Sequence, residues 1–276
     1  MPADANTNID LGRLIRARTL SAEEATERCL ARIAERDKAI NAYITVMADE
    51  ARVQAREADR EIAAGRDRGP MHGVPISLKD LIDVRGTPTT AASRVRAGHV
   101  ASSDALITTR LREAGAVFVG KTNLHEFAFG TTNEDSAYGP VHHPLDPTRS
   151  PGGSSGGSAA SVLDGMAYAS IGTDTGGSIR IPSSLCGLVG LKPHLGEIPL
   201  DGVVPLSTLL DHVGPICRSV EDAAIVYHAL SGVANPPSIR RRDIRGLRLG
   251  VPRPYFMRSD SIHSARSIAL VGTTSQ

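Results

Sequence analysis

The N-terminal part of the chain alternates apolar and polar positions with a helical period. Ser21 and Glu24 form a capping box, and apolar residues recur at helical spacing after them. A second stretch, 47–64, is rich in Ala, Arg and Glu and is followed by Gly65. Basic and acidic residues are nearly balanced here, which is typical of solvated helix faces. We therefore expect residues 1–70 to form a helical segment that packs on the rest of the protein.

Beyond residue 70 the pattern of apolar and polar positions predicts alternating strands and helices. Positions 74–79 alternate as a strand does, 103–114 carry one apolar helical face, and 116–119 form a short apolar run. A further helix is expected over 219–230 and a late strand over 247–251. Strand, helix and strand in this order predict an α/β fold.

The segment 152–190 has an unusual composition. It holds 10 Gly and 8 Ser in 39 positions, yet it also contains apolar pairs such as Val162-Leu163 and Leu188-Val189. A flexible linker would be polar throughout. Glycine at this density inside a packed domain indicates backbone that approaches another group closely or adopts a positive φ.

Composition and charge narrow the class of protein. The 276 residues carry 31 basic and 30 acidic side chains, so no basic surface for nucleic acid is expected. Three scattered cysteines suit neither a disulfide framework nor a zinc site, and they favour a reducing compartment. No signal-peptide core or run of 18 apolar residues is present. We expect a soluble, cytoplasmic, globular protein without bound metal.

Two short motifs match known sites by letter only. Residues 115–122 fit G-x-x-x-x-G-K-T, but the middle four positions form the predicted strand itself, whereas a phosphate-binding loop follows its strand. Residues 152–156 fit G-x-S-x-G, but no apolar strand precedes them, and Asp211 and His212 would have to complete a triad. Neither context supports the function that the letters suggest.

The remaining chemical candidates are one lysine and two serines. Taken singly, Lys79 fits a solvated strand end, and Ser154 and Ser178 fit glycine-rich turns. However, residues 173–178 (Thr-Asp-Thr-Gly-Gly-Ser) place consecutive backbone N–H groups ahead of a hydroxyl, as an oxyanion hole requires. A neutral lysine and two hydroxyls are also sufficient for acyl transfer without histidine.

These residues lie in motifs that resemble the amidase signature hydrolases. The resemblance extends from about residue 10 to about residue 256, and it rests on the segments 73–80 (GVPISLKD), 120–130 (GKTNLHEFAFG), 152–160 (GGSSGGSAA), 172–180 (GTDTGGSIR) and 187–193 (GLVGLKP). It implies an α/β fold with a central mixed sheet flanked by helices. It also implies hydrolysis of a carboxylic amide to an acid and ammonia or an amine, without a cofactor.

The resemblance further implies the roles of individual residues. Ser178 is the nucleophile, Ser154 relays its proton after a cis peptide bond, and Lys79 is the base. Because an ordinary lysine has a pKa near ~10.4, Lys79 must be neutralised by burial. The implied oxyanion-hole and substrate-binding residues are Thr175, Gly176, Gly177 and Ala128.

We expect Asp174 to brace the loop through backbone hydrogen bonds, whereas Arg180 is open between pairing with Asp174 and meeting a substrate carboxylate.

The resemblance also sets the domain plan and the alternatives. Residues 71–256 are the expected amidase signature core, and residues 257–276 form an atypical tail. Relatives are markedly longer, so we expect the fold to be incomplete at its C-terminus.

One alternative function is the glutamine-hydrolysing A subunit of an aminoacyl-tRNA amidotransferase, whose partner subunits supply tRNA recognition. Another is an inactive truncated amidase. The expected partner is a small-molecule amide, with no direct nucleic acid binding and no membrane, and a homodimer stays open.

Overall fold

A computed structural model describes residues 7–232 and 245–246. The chain divides into two units, residues 1–237 and 238–276, and the architecture below belongs to the first. Its helices are α1 (Asn8–Arg16), α2 (Ala22–Ile40), α3 (Ala48–Ala63), α4 (Leu106–Glu113), α5 (Gly156–Leu163), α6 (Arg180–Leu185) and α7 (Val220–Ser231). Its strands are β1 (Tyr43–Val46), β2 (Pro75–Lys79), β3 (Val117–Thr122), β4 (Ala169–Thr173), β5 (Val189–Gly190) and β6 (Val213–Cys217).

The described strands form one mixed sheet in the order β1-β3-β2-β4-β6-β5. The central strand β2 runs parallel to both β3 and β4, while β1, β5 and β6 pair antiparallel with their neighbours. All residues of β2, β3, β4 and β6 are buried, because helices cover both faces of the sheet. The predicted α/β fold with a mixed sheet and flanking helices is therefore confirmed.

The N-terminal helices form where the capping pattern predicts them. The Ser21 hydroxyl accepts a hydrogen bond from the Glu24 N–H, and the Glu24 carboxylate accepts one from the Ser21 N–H, which completes the capping box. The helix expected over 47–64 is α3, and Gly65 follows it with a φ of +79°. One strand within this segment was not predicted: β1 pairs with β3 and forms an edge of the sheet.

The core elements also form near their predicted positions. The helix expected over 103–114 begins only at Leu106, because Ala105 has a non-helical ψ of 153° and its N–H donates to the Asp83 carbonyl. Ser219 caps α7 as predicted, accepting a hydrogen bond from the Asp222 N–H. The strand expected over 116–119 extends to Thr122, so it includes a lysine that an apolar pattern would not assign to a buried strand.

That lysine, Lys121, forms a buried ion pair instead of a phosphate site. Its Nζ lies 2.9 Å from Asp80 Oδ1, both side chains are fully buried, and Lys121 also donates to the Pro88 carbonyl. Burial lowers the pKa of the Lys121 amine, while the Asp80 carboxylate opposes that change by favouring the charged form. The strand position and the ion pair agree with the rejection of a phosphate-binding loop at residues 115–122.

We expect Asp80→Asn to destabilise the protein by about 3–5 kcal/mol, because Lys121 would keep a buried charge without its counter-charge. Urea denaturation at pH 7 measures the change in the free energy of unfolding. The double variant Asp80→Asn/Lys121→Met is the control, since it removes both charges together and should recover most of the loss. A double variant no more stable than the single one would contradict this role of the pair.

The dense glycines of segment 152–190 allow close backbone approach, as expected. A Cβ added to Gly157 would lie 2.4 Å from the Asn123 carbonyl oxygen and 2.5 Å from the Ala42 carbonyl oxygen. Only glycine therefore lets the start of α5 lie against these two backbone segments, and this contact fixes the loop that precedes the helix.

Some predictions fall outside the described residues. These are the late strand over 247–251, the core boundary at residue 256 and the tail 257–276. The division at residue 70 stays a prediction. Among the described helices, none is both long and apolar enough to cross a bilayer.

Candidate active site

The candidate site lies at the carboxyl ends of the parallel strands β2 and β4. Leu78 of β2 pairs with Ile171 of β4, so the last residues of the two strands, Lys79 and Thr173, lie close together. Ligand and catalytic sites of open α/β sheets form at this edge, where loops leave the strands. Here the loop before α5 carries Ser154, and the loop between β4 and α6 carries Ser178.

Lys79 is fully buried and donates to two hydroxyl groups. Its Nζ lies 2.7 Å from Ser154 Oγ and 2.7 Å from Thr173 Oγ1. Burial lowers the pKa of the Lys79 amine to about 7, and this effect outweighs the opposing attraction of Asp174 and Asp211. Lys79 is therefore not a solvated lysine at a strand end, and its burial agrees with the expectation that the amine is neutralised.

Thr173 is a contact of Lys79 that the sequence analysis missed. The segment 173–178 was interpreted through its backbone N–H groups and the Ser178 hydroxyl only. The available signal was topological, because the last side chains of two neighbouring parallel strands meet at one edge of the sheet. The Thr173 hydroxyl gives the Lys79 amine a second fixed partner besides Ser154.

Ser154 follows a cis peptide bond to Gly153, as the resemblance implied. Its carbonyl oxygen accepts a hydrogen bond of 3.1 Å from the His125 N–H. Gly153 is tightly enclosed, since an added Cβ would lie 2.9 Å from the Asn133 nitrogen. Ser154 is thus held on its backbone by His125 and on its side chain by Lys79.

Ser178 is joined to this pair through the backbone. The Ser155 N–H donates to the Ser178 carbonyl oxygen at 3.2 Å, which ties the two serine-bearing loops together next to Ser154. Gly177 has a φ of +147°, and an added Cβ would lie 2.8 Å from the Ile181 side chain, so this position requires glycine. Within residues 7–232, the N–H groups of residues 175–178 have no hydrogen-bond acceptor and remain available to a ligand.

Asp174 braces this loop, as expected from the sequence. Its carboxylate accepts from the N–H groups of Ile179 and Arg180, and its own backbone pairs with His212 in both directions. Burial opposes the charged form, but hydrogen bonds from the Arg180 and Lys192 side chains outweigh it and lower the pKa of Asp174 to about 2. Of the two choices left open for Arg180, the structure shows the pairing with Asp174, whose carboxylate lies 3.0 Å from two nitrogens of the guanidinium. A contact of Arg180 with a substrate carboxylate stays a prediction.

Ala128 lies in a turn that is connected to Ser154 through His125. Phe127 and Ala128 both have positive φ values, 50° and 59°, and the Ala128 N–H donates to the His125 carbonyl. Backbone conformations of this kind cost energy for non-glycine residues and concentrate at functional sites. Ala128 itself packs with Leu81 and Leu124, so the structure connects it to the serines indirectly.

The candidate residues differ in how directly they are linked to the hydrogen bond between Lys79 and Ser154. Lys79 contacts both Ser154 and Thr173 directly, Ser178 is one backbone hydrogen bond away, and Ala128 is connected through one intervening residue.

A six-stranded mixed sheet between helices is the fold of the amidase signature hydrolases. Residues 24–257 match the family model described as Amidase, and the chain belongs to that family. The A subunit of the glutamyl-tRNA(Gln) amidotransferase from Anaeromyxobacter sp. (strain K) is 46% identical over an alignment of 261 residues, which covers 90% of this chain and 53% of that protein. The chain thus spans about half the length of the curated relatives it matches.

Solved structures of amidases are similar in fold and sequence. A crystal structure of an amidase is 42% identical with a TM-score of 0.78, and the match covers 82% of this chain and 52% of that one. The native peptide amidase from Stenotrophomonas maltophilia is 41% identical with a TM-score of 0.78, covering 83% of this chain and 48% of that one.

Proposed function

We propose that this protein hydrolyses a carboxylic amide through Ser178, Ser154 and Lys79. The observation that carries the proposal is the 2.7 Å hydrogen bond between Lys79 Nζ and Ser154 Oγ at a fully buried site. Because burial lowers the pKa of Lys79 to about 7, the amine can accept a proton at neutral pH. An ordinary lysine would stay charged and act only as a donor.

In the proposed reaction Ser178 Oγ attacks the amide carbon. Its proton passes to Ser154 Oγ, and the Ser154 proton passes to Lys79 Nζ. The unpartnered N–H groups of residues 175–178 stabilise the oxyanion that forms, at about 3 kcal/mol for a good donor. The C–N bond then breaks, and the proton returns from Lys79 through Ser154 to the leaving nitrogen. Water attacks the acyl-enzyme by the same path and releases the acid.

The substrate-binding part of the proposal rests on the loops around Ser178. Thr175, Gly176 and Gly177 supply the oxyanion donors, and Ala128 borders the substrate from the turn beside Ser154. Gly176 is exposed, and an added Cβ would meet no atom within 4 Å, so a substrate carbonyl has room at this point.

A second candidate function is glutamine hydrolysis as the A subunit of an aminoacyl-tRNA amidotransferase. The 46% identity to the A subunit of a glutamyl-tRNA(Gln) amidotransferase favours it. The same serines and lysine would then act on the side-chain amide of glutamine, and partner subunits would supply tRNA recognition. The two candidates differ in substrate and in dependence on partners, not in the bond that is broken.

We propose a reducing, cytoplasmic setting for either function. Cys29, Cys186 and Cys217 are free and buried, and burial raises the pKa of each thiol, so none is poised for oxidation. For the amidase a homodimer stays an open alternative, whereas the amidotransferase alternative requires different subunits.

The first experiment is intact-mass analysis after exposure to a serine-directed fluorophosphonate. We expect one adduct, since attack by an activated Ser178 forms one O–P bond and expels fluoride. Ammonia release is then measured with a simple primary amide, a peptide C-terminal amide and free glutamine. Turnover of glutamine only, and only with the partner proteins added, would favour the amidotransferase alternative. If a soluble, monomeric protein forms no adduct, the result would support the inactive alternative.

Ser154→Ala is expected to lower the turnover number by about 10³-fold but to leave a measurable rate, because the oxyanion donors remain. Steady-state kinetics on the best amide from the panel measures the loss. Ser161→Ala is the matched control on α5, since it removes a buried hydroxyl that donates to the Ser158 carbonyl and does not contact Lys79. A Ser154→Ala enzyme as fast as the wild type would exclude the proton relay.

A further inference from the structure

We propose that Lys192 is a positioning residue that aims the Gly176 N–H into the oxyanion hole. The inference rests on the proposed function, because it concerns the donors that the reaction uses. Lys192 lies just after β5, and its side chain is 21% exposed. Its Nζ lies 2.8 Å from the Thr175 carbonyl oxygen and 3.0 Å from Asp174 Oδ1.

The bond to the Thr175 carbonyl matters because of peptide geometry. The carbonyl of Thr175 and the N–H of Gly176 belong to one planar unit, and in a trans peptide they point in opposite directions. The Gly153–Ser154 bond is the cis peptide found among the described residues, so the Thr175–Gly176 unit is trans. Holding the carbonyl towards Lys192 therefore turns the Gly176 N–H away from Lys192.

Within the described residues, no other hydrogen bond holds the peptide unit between Thr175 and Gly176. Gly176 is exposed, its N–H has no acceptor within residues 7–232, and an added Cβ would meet nothing within 4 Å. The Thr175 hydroxyl donates to Asp211 at 2.5 Å, which anchors the side chain before the peptide but leaves the rotation of the peptide plane free. A glycine in open space gives the loop many alternative conformations, so one strong bond to the carbonyl selects among them.

The ion pair with Asp174 does not by itself explain Lys192. The Arg180 guanidinium already makes two 3.0 Å contacts with that carboxylate, which also accepts two backbone N–H groups. Asp174 thus has a cation and several donors without Lys192. The contact that Arg180 does not duplicate is the one to the Thr175 carbonyl.

Loss of Lys192 would also act on Lys79 through charge. With one cation fewer, the Asp174 carboxylate would attract the Lys79 proton more strongly and raise the pKa of that amine. The other charged group that favours protonated Lys79 is Asp211. This indirect effect disappears at a pH well above the shifted pKa, whereas a misdirected N–H group does not recover with pH.

The test compares the rate of fluorophosphonate labelling in Lys192→Met, Lys192→Arg and Arg180→Gln across pH 6 to 9.5. We expect the Met variant to be slower by about 10²-fold even on the high-pH plateau, as for loss of one oxyanion donor. The Arg variant keeps a donor for the carbonyl and should stay within tenfold of the wild type. Arg180→Gln removes the same charge beside Asp174 without touching Thr175, so it should shift the pH profile but keep most of the plateau rate.

The outcomes separate this inference from the proposed function. A wild-type protein that is not labelled at Ser178 contradicts the proposed function itself. A labelled wild type with a Met variant within threefold of it on the plateau overturns the positioning role alone, as does a loss in Arg180→Gln as large as that in the Met variant. If Lys192→Met does not fold, by thermal denaturation, Lys192→Ser replaces it, because serine is polar but too short to reach the Thr175 carbonyl, and the same loss is expected.

Discussion

Replacing Ser178 with Ala is expected to abolish amide hydrolysis, with a loss of at least about 10⁴-fold in the turnover number. Within residues 7–232, no other hydroxyl is both adjacent to the unpartnered N–H groups of residues 175–178 and tied to the Ser154 loop by the Ser155 hydrogen bond. Removal of a nucleophile in hydrolases of this general type costs about 10⁶-fold, leaving only what the oxyanion donors contribute. Ammonia release and fluorophosphonate labelling of the same preparation measure the two consequences together.

The matched control is Ser184→Ala, an exposed serine on α6 six positions further along the chain. It should keep both the adduct and the turnover. Ser178 is buried but small, and Ala fills most of its volume, so the melting temperature of the Ser178→Ala protein should stay close to that of the wild type. Near-normal turnover in a folded Ser178→Ala protein would end the assignment of the nucleophile.

Local signals in the sequence were sufficient for most of the fold. The capping box of Ser21 and Glu24 and the cap at Ser219 involve residues three apart, so the sequence alone contains both partners. The alternation over 74–79 likewise placed Lys79 on a strand. The strand β1 was missed because its four residues are too short to show a period, and it forms by pairing with β3, more than seventy residues away.

The environment of the site was less accessible to sequence reasoning. Lys79 and Thr173 are 94 residues apart in sequence, and their 2.7 Å contact arises from the pairing of β2 with β4. Lys192 and Thr175 are 17 residues apart, and their contact depends on how α6 and β5, which lie between them, fold together. Motif resemblance supplied the identity of Ser154, Ser178 and Lys79, but the burial that makes a lysine a base is a property of the packed sheet.

Lys79→Met should reduce turnover about as strongly as Ser178→Ala, since Met has a similar volume but no amine to accept the Ser154 proton. The wild type should lose activity as the pH falls through about 7, approaching tenfold per pH unit below that value, because protonated Lys79 cannot act as a base. Initial rates from pH 5 to 9.5 measure this limb. A rate that is independent of pH across this range would contradict the assignment of Lys79 as the base.

The same substitution tests the burial of Lys79 through stability. The pKa of the Lys79 amine is about 7 in the folded protein and near its ordinary 10.5 in the unfolded chain, so between these values the unfolded chain binds more protons. The wild type therefore gains stability as the pH rises from 7 to 10.5, and it carries the full penalty below pH 7. Lys79→Met removes this penalty, on the order of a few kcal/mol, and loses the bonds to Ser154 and Thr173 at every pH. The difference in the free energy of unfolding, variant minus wild type, should thus be most positive at pH 7 and should fall towards pH 10. Urea denaturation at a series of pH values measures this difference. A difference that does not change with pH would mean that Lys79 remains charged in the folded protein, and with it the proposed proton path would fail.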